Sequence, residues 1–446
     1  MDFIIDRQTL EDLEIFERKR DQKSLFKFFD KPTSHGGKEE LLKLFQHPLS
    51  DRGKIKERQD VIRYMFDKKL SFTIDRHSLD YIEYYLIVGN KPVKLSRLDA
   101  WHKAIKYWLR PINEIYIIHR GIEYVLEFLQ ELYAIATDDS ELNRPSLLAQ
   151  QYQFIAESIR NSELRRIIGF KSTKKISVMD RERFDYTFRY KEYDRLRDIL
   201  QTVYLLEAFQ VAAHVTAELG LVFPEITDSK EIEMTGLYHL FVENAVVNDI
   251  RYEEEKNIHF ITGANMAGKS TFLKAFGIAV FLAHIGFPAP VASMRTGVFN
   301  GLFSTINIAD NLNKGYSHFY SEVLRVKNVA NEINRTKNMV VIFDELFRGT
   351  NVKDAYDASL AVISAFAEVK GSIFLVSTHI VEVAEPLRAF KNIRFGYFHT
   401  AIKEEMPIYS YQLRDGVTEE RLGMLIIKKE RIIETIRLGM SISPSP

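Results

Sequence analysis

The sequence predicts a multidomain fold, an all-α part followed by an α/β part, and three observations carry it. Up to about residue 225, apolar residues recur at three- and four-residue steps, the period of an amphipathic helix. Beyond that point, short β-rich runs alternate with helical stretches, the pattern of a sheet with parallel strands. Between one such run and the helix after it lies a glycine-rich loop of characteristic spacing.

In the helical part, Ile112, Ile115, Ile118, Ile122, Val125, Leu129 and Leu132 fall on one helix face. Leu196, Ile199, Leu200, Val203, Leu206, Phe209 and Val211 do much the same later. Helices of about 25 residues would each span roughly 37 Å. Glycine is scarce between residues 122 and 168, so nothing there obliges the chain to break. In the second part, Ile258–Thr262, Met339–Phe343 and Ser372–Ser377 read as strands. The expected division is a helical domain over 1–225 with a basic turn at 164–198, an α/β domain over 226–402, and a tail over 403–446.

Composition limits the function. The chain has 446 residues, 61 basic and 61 acidic, so any contact with nucleic acid must come from a local basic patch. Hydrophobic residues are 46%, too many for a disordered chain. The absence of cysteine excludes disulfides, thiolate metal sites and a cysteine nucleophile. The most apolar stretch, Phe276–Ala292, holds His284, Gly286 and two prolines, so it reads as buried core rather than a membrane span. The acidic N-terminus lacks a signal pattern, and a cytoplasmic location is expected.

The chemistry is concentrated in three places. Gly263, Ala264, Asn265, Met266, Ala267, Gly268, Lys269, Ser270 and Thr271 fit the pattern G-x-x-x-x-G-K-[ST] between a strand and a helix. Glycines let a backbone curl round phosphates, the helix offers its positive end, and Lys269 adds a point charge. The Ser270 hydroxyl is a candidate ligand for Mg²⁺. Asp344 and Glu345 close the apolar run Val340–Phe343, at the strand edge where open α/β sheets bind ligands. Asp344 would hold Mg²⁺ through water, and Glu345 would orient the attacking water. His379 follows the third run and could sense a γ-phosphate. Together these predict an α/β P-loop NTPase domain of the ABC type, using ATP and Mg²⁺ and working as face-to-face pairs.

These residues also resemble a family. GANMAGKSTFLKA (Gly263–Ala275) looks like the MutS phosphate loop, with Asn265 and Met266 as its distinguishing pair. DELFRGTN (Asp344–Asn351) is similar to the family's D-E-x-G-R-G-T, and GYSHFYSEV (Gly315–Val323) to its G-x-S-T-F-x-x-E-M. HIGFPAPVA (His284–Ala292), IADNL (Ile308–Leu312) and HLFVENAVVND (His239–Asp249) match further family segments. Upstream, Ile5–Glu17 and Gly36–Ile62 look like the start of its helical core. The resemblance implies a helical core and lever domain ahead of the ATPase domain, a homodimer, and Ser317 reaching the partner's nucleotide. It implies a phosphate-sensing role for His379 and a DNA repair or recombination setting. It also implies that the tail over 403–446 is a dimerisation element.

The departures carry expectations too. The chain starts at the helical core, so mismatch-reading and connector domains are not expected, and the short link near Gly169–Arg189 between the two helical stretches leaves no room for a clamp domain. Ala245 stands where an aromatic base-stacking residue is usual, His318 replaces a threonine and Phe347 a glycine. Residues Leu164–Asp198 hold eleven basic against six acidic residues. Lys171, Lys174, Lys175, Arg181, Arg183 and Arg189 in this patch, interleaved with aromatics, are the candidate DNA contacts. The expected function is an ATP-dependent, dimeric DNA-binding ATPase that clamps mismatched, branched or distorted DNA, with structure rather than sequence preference. The alternative is a nucleotide-switched scaffold that docks repair proteins and binds little DNA.

Overall fold

The computed structural model describes residues 3–18, 23–31, 33–70, 75–88, 113–138, 143–170, 176–306, 318–403, 406–418 and a few near 432–436. Ser317, Lys171, Lys174, Lys175 and most of the tail beyond residue 418 lie outside these. The chain forms two compact units, one of residues 1–27, 47–56 and 220–446, the other of 28–46 and 57–219. Residues 1–27 and 47–56 thus pack with the α/β unit.

The α/β unit holds eleven described strands: β1 (Ile4–Ile5), β2 (Glu225–Ile226), β3 (Ile232–Leu237), β4 (Asn248–Tyr252), β5 (Ile258–Thr262), β6 (Ser293–Thr296), β7 (Gly301–Thr305), β8 (Met339–Asp344), β9 (Ile373–Thr378), β10 (Ile393–Lys403) and β11 (Met406–Asp415). The larger sheet runs β1-β7-β8-β9-β5-β10-β11. It is parallel except for the last pair, β10 with β11. A smaller sheet runs β2-β6-β3-β4. Every residue of β5, β8 and β9 is buried, as expected of central parallel strands covered on both faces.

Helix Lys269–His284 is apolar nearly all round and buried nearly all round, which places most of the Phe276–Ala292 stretch in the core. On another side of the sheet, Phe343, Phe366 and Phe374 stack with centroids 5.6 and 4.8 Å apart. The N-terminus closes one sheet edge. Ile4 pairs with Gly301, and buried Asp12 accepts from Ser304 Oγ (2.9 Å) and the Ile306 amide (2.8 Å). At the opposite edge, residues 406–415 form β11 rather than a tail. Their alternation, Pro-Ile-Tyr-Ser-Tyr-Gln-Leu, suits a strand with one face against a sheet.

The helical unit contains the two long helices, Asn113–Ala136 and Tyr193–Leu219. Ile122, Val125, Leu129 and Leu132 of the first and the seven apolar residues named for the second are all buried. The chain does break between residues 122 and 168. Pro145 precedes a separate helix, Ser146–Arg160; proline disfavours helical geometry in the residue before it and supplies no amide, so glycine scarcity alone was a poor guide.

The basic turn is largely a packed structure. Arg189 is buried, its Nε and Nη2 each 2.7 Å from the Asp185 carboxylate and its Nη1 donating to the Val88 carbonyl at 2.5 Å. Tyr85 Oη donates to the same carboxylate at 2.9 Å. Arg189 is therefore not a DNA contact: its guanidinium is spent on an internal charge. Phe184 and Phe188 are core residues, so they cannot stack on bases. Arg181 is half-buried, 3.1 Å from His119 Nδ1, and Arg183 is exposed.

Candidate functional site: a phosphate loop with convergent carboxylates

Strand β5 ends at Thr262 and the chain turns through Gly263 to Gly268 before helix Lys269–His284 begins. Gly268 has φ of 102°, a conformation that side chains resist, and it caps the helix in the left-handed region. The turn lets Lys269 fold back. Its Nζ donates to the carbonyls of Gly263 (2.8 Å) and Ala264 (3.1 Å) and lies 3.5 Å from Glu345 Oε1. Burial pushes the Lys269 ammonium below its usual range, with Glu345 and Asp344 opposing.

Asp344 ends β8 next to β9, whose Ser377 is its register partner. The Ser270 hydroxyl donates to Asp344 Oδ2 at 2.5 Å, and the Ser377 hydroxyl donates to Oδ1. Hydroxyl and carboxylate oxygens side by side form the hard donor set that Mg²⁺ takes, so Ser270 and Asp344 fit that ion.

Glu345 follows in the left-handed region, φ 52°, its amide donating to Ser377 O at 2.9 Å. The turn aims its carboxylate at three nitrogen donors: Arg348 Nε at 3.0 Å, His379 Nδ1 at 3.5 Å and Lys269 Nζ at 3.5 Å. His379 most of all, then Arg348 and Lys269, hold the Glu345 carboxyl down at about 2 against the opposing effect of burial. The structure thus brings together Lys269, Ser270, Asp344, Glu345 and His379 from the ends of β5, β8 and β9.

Beside the loop opens a cavity of about 470 Å³. Ala245 lines it, together with aromatic residues that include Tyr238, His239 and Tyr411. Tyr411 was missed in the sequence because it lies in the segment read as tail. It is 45% exposed, adopts φ of 56°, and stands against Gly268. The alternation of Tyr409, Tyr411 and Leu413 was the available signal.

Asp354 caps the helix Val352–Ala367 reciprocally with Asn351, its amide donating to Asn351 Oδ1 at 3.0 Å. Among the described residues, no cluster of three or more His, Asp or Glu could hold a metal alone, and no helix is long and apolar enough to cross a membrane.

Comparison with known proteins finds two family profiles in succession along the chain. The profile of MutS domain III matches residues 8–223 and that of MutS domain V matches residues 259–437. The DNA mismatch repair protein MutS of Persephonella marina is 29% identical over 353 residues, 75% of this chain and 39% of the relative. That of Aquifex pyrophilus is 32% identical over 250 residues, 55% of this chain and 29% of the relative. That of Wolbachia pipientis is 32% identical over 243 residues, 53% of this chain and 28% of the relative. The chain spans between about a quarter and two fifths of the length of these relatives. With two successive MutS domain profiles matched in order, and the loop, strand-end carboxylates and histidine assembled in one place, the chain belongs to the MutS family.

Proposed function

We propose that the protein is an ABC-type ATPase that hydrolyses ATP with Mg²⁺ at the loop Gly263–Thr271 and uses the nucleotide cycle to act on DNA. The observation that carries this reading is the convergence of Lys269, Ser270, Asp344, Glu345 and His379 within hydrogen-bonding or ion-pair reach of one another. Loop amides and the helix N-terminus would receive the phosphates. Lys269, already turned back over the loop, would transfer its charge from the carbonyls and Glu345 to the β- and γ-phosphate oxygens. Ser270 and Asp344 would hold Mg²⁺, which supplies charge neutralisation on the phosphate oxygens.

Glu345 would accept a hydrogen bond from the attacking water and align it in line with the γ-phosphate. A carboxyl held near 2 is ionised throughout the physiological range, so it orients and polarises water rather than waiting for deprotonation. His379, beside Glu345, would contact the transferred phosphoryl group. The base would lie in the cavity walled by Tyr238, His239 and Tyr411, an aromatic surface that substitutes for the residue replaced by Ala245.

The family membership supports a homodimer in which Ser317 completes the partner's site, and a target of mismatched, branched or distorted DNA in repair or recombination. Arg181 and Arg183 remain the described candidates for phosphate contact. A second reading, a nucleotide-switched scaffold that docks repair proteins, is favoured by the burial of Arg189 and Phe188. Filter binding of branched duplex at low and high salt separates the two. A steep salt dependence is expected for DNA binding, and no retention at low salt would favour the scaffold. For the ATPase itself, Glu345→Gln is expected to bind Mg²⁺-ATP normally and to lose roughly 10²–10³-fold in turnover. Turnover at the wild-type rate in that variant would refute the assignment.

A further inference from the structure

The buried residues of helix His318–Thr336 are Glu322, Val326, Val329 and Ile333, one face whose first member is a carboxylate. Glu322 is 4% exposed. Its Oε1 accepts from the Arg348 amide at 3.2 Å and its Oε2 from the Gly349 amide at 3.3 Å, with His318 Nδ1 3.6 Å from Oε1. These amides belong to the loop that follows Glu345, where both Glu345 (φ 52°) and Phe347 (φ 63°) are left-handed. A Phe in that conformation is strained and persists only where its surroundings impose it.

Two further contacts impose it. The Phe347 ring meets Phe319 at 5.8 Å between centroids. A Cβ on Gly349 would lie 2.4 Å from the Phe319 amide nitrogen, so only glycine lets the loop backbone lie against the helix start. The loop is thus fastened to this helix by a bidentate carboxylate, a ring pair and a backbone contact. What the loop delivers is Arg348 Nε, 3.0 Å from Glu345 Oε2.

We propose that Glu322 is a positioning residue for the hydrolytic step: by gripping the amides of Arg348 and Gly349 it fixes the left-handed turn that aims Glu345 and keeps Arg348 against it. This rests on the ATPase reading above. Glu322 touches no phosphate-loop residue, so its loss should spare nucleotide binding and slow chemistry. An amide at this position keeps one acceptor oxygen for two amides, whereas alanine keeps none, so the rate should fall in the order wild type, Glu322→Gln, Glu322→Ala.

The test uses the full chain. Binding of a fluorescent ATP analogue with Mg²⁺, single-turnover ATP hydrolysis and thermal denaturation are measured for wild type, Glu322→Gln, Glu322→Ala and Gly349→Ala. The expected result is analogue affinity within about twofold of wild type, with hydrolysis reduced about tenfold or more in Gly349→Ala and Glu322→Ala and by less in Glu322→Gln. If Glu322→Ala does not fold, the other two variants decide. Folded variants that hydrolyse at the wild-type rate, or that lose binding and hydrolysis in parallel, would overturn the inference. Wild-type protein that hydrolyses no ATP would instead remove the ATPase reading, and the inference with it, before any variant is compared.

Discussion

Arg189→Met tests whether the basic turn is a structural core. The side chains of Arg189 and Asp185 are 5% and 4% exposed. Removing the guanidinium deletes two 2.7 Å bonds to Asp185 and the bond to the Val88 carbonyl, and leaves a buried carboxylate with the Tyr85 hydroxyl at 2.9 Å. Breaking one side of a buried ion pair costs about 3–5 kcal/mol. For a unit of this size, that corresponds to a fall in Tm of roughly 6–20 °C. The combined variant Arg189→Met, Asp185→Leu, Tyr85→Phe removes the buried charges and the tyrosine hydroxyl and leaves the Val88 carbonyl without its Arg189 donor, and it is expected to recover to within about 2 kcal/mol of wild type. Thermal and urea denaturation followed by circular dichroism measure both. A loss below about 1 kcal/mol in the single variant would refute the reasoning. So would a combined variant no better than the single one. Any drop in DNA affinity in Arg189→Met should follow the lost fold, whereas Arg183→Ala would leave stability intact and lower the salt slope by about one if that residue meets a phosphate.

Three further outcomes are expected. Burial lowers His239, His259 and His284 from 6.5 to about 4, 3 and 4, so folded protein keeps them neutral while unfolded chains protonate them. The unfolded state then binds more protons below about 6.5, and stability should fall as pH drops from there towards 4, read as urea midpoints at three pH values. Glu345 has the usual carboxylate sign: lowered from 4.5 to about 2, it contributes stability above 4.5 that disappears as pH falls through 2, and Glu345→Gln should flatten that limb of the same titration. Tyr411→Ala is expected to weaken ATP binding by about tenfold, since the ring lines the cavity beside the loop and stands against Gly268; calorimetry with ATP checks it.

The loop was legible because its chemistry is contiguous: nine successive residues between a strand and a helix specify a backbone path. Asp344, Glu345 and His379 were legible because an apolar run ending in polar residues marks where a parallel sheet meets solvent. Arg189 was not, because its meaning lies in Tyr85 and Val88, about a hundred residues away, and a local charge count cannot see a partner at that separation. Tyr411 was lost with its strand. Its run carries the alternation of an edge strand, but Pro407 and the charges before it masked the signal. Pro145 was visible and under-read. The N-terminal residues looked like the first turns of a helical domain, and nothing near Ile4 announces Gly301 as its neighbour.

That last pairing has a consequence for biosynthesis. A ribosome adding roughly 5–20 residues each second emits Ile4 and Asp12 some 15–60 s before Gly301, Ser304 and Ile306 exist. Throughout that interval the segment around Ile4 and Asp12 stays without its native neighbours, a slow, high-contact-order closure that exposes apolar chain to chaperones or to misassociation. Maturation of the larger sheet therefore requires Ile4 and Asp12 to wait for partners made much later.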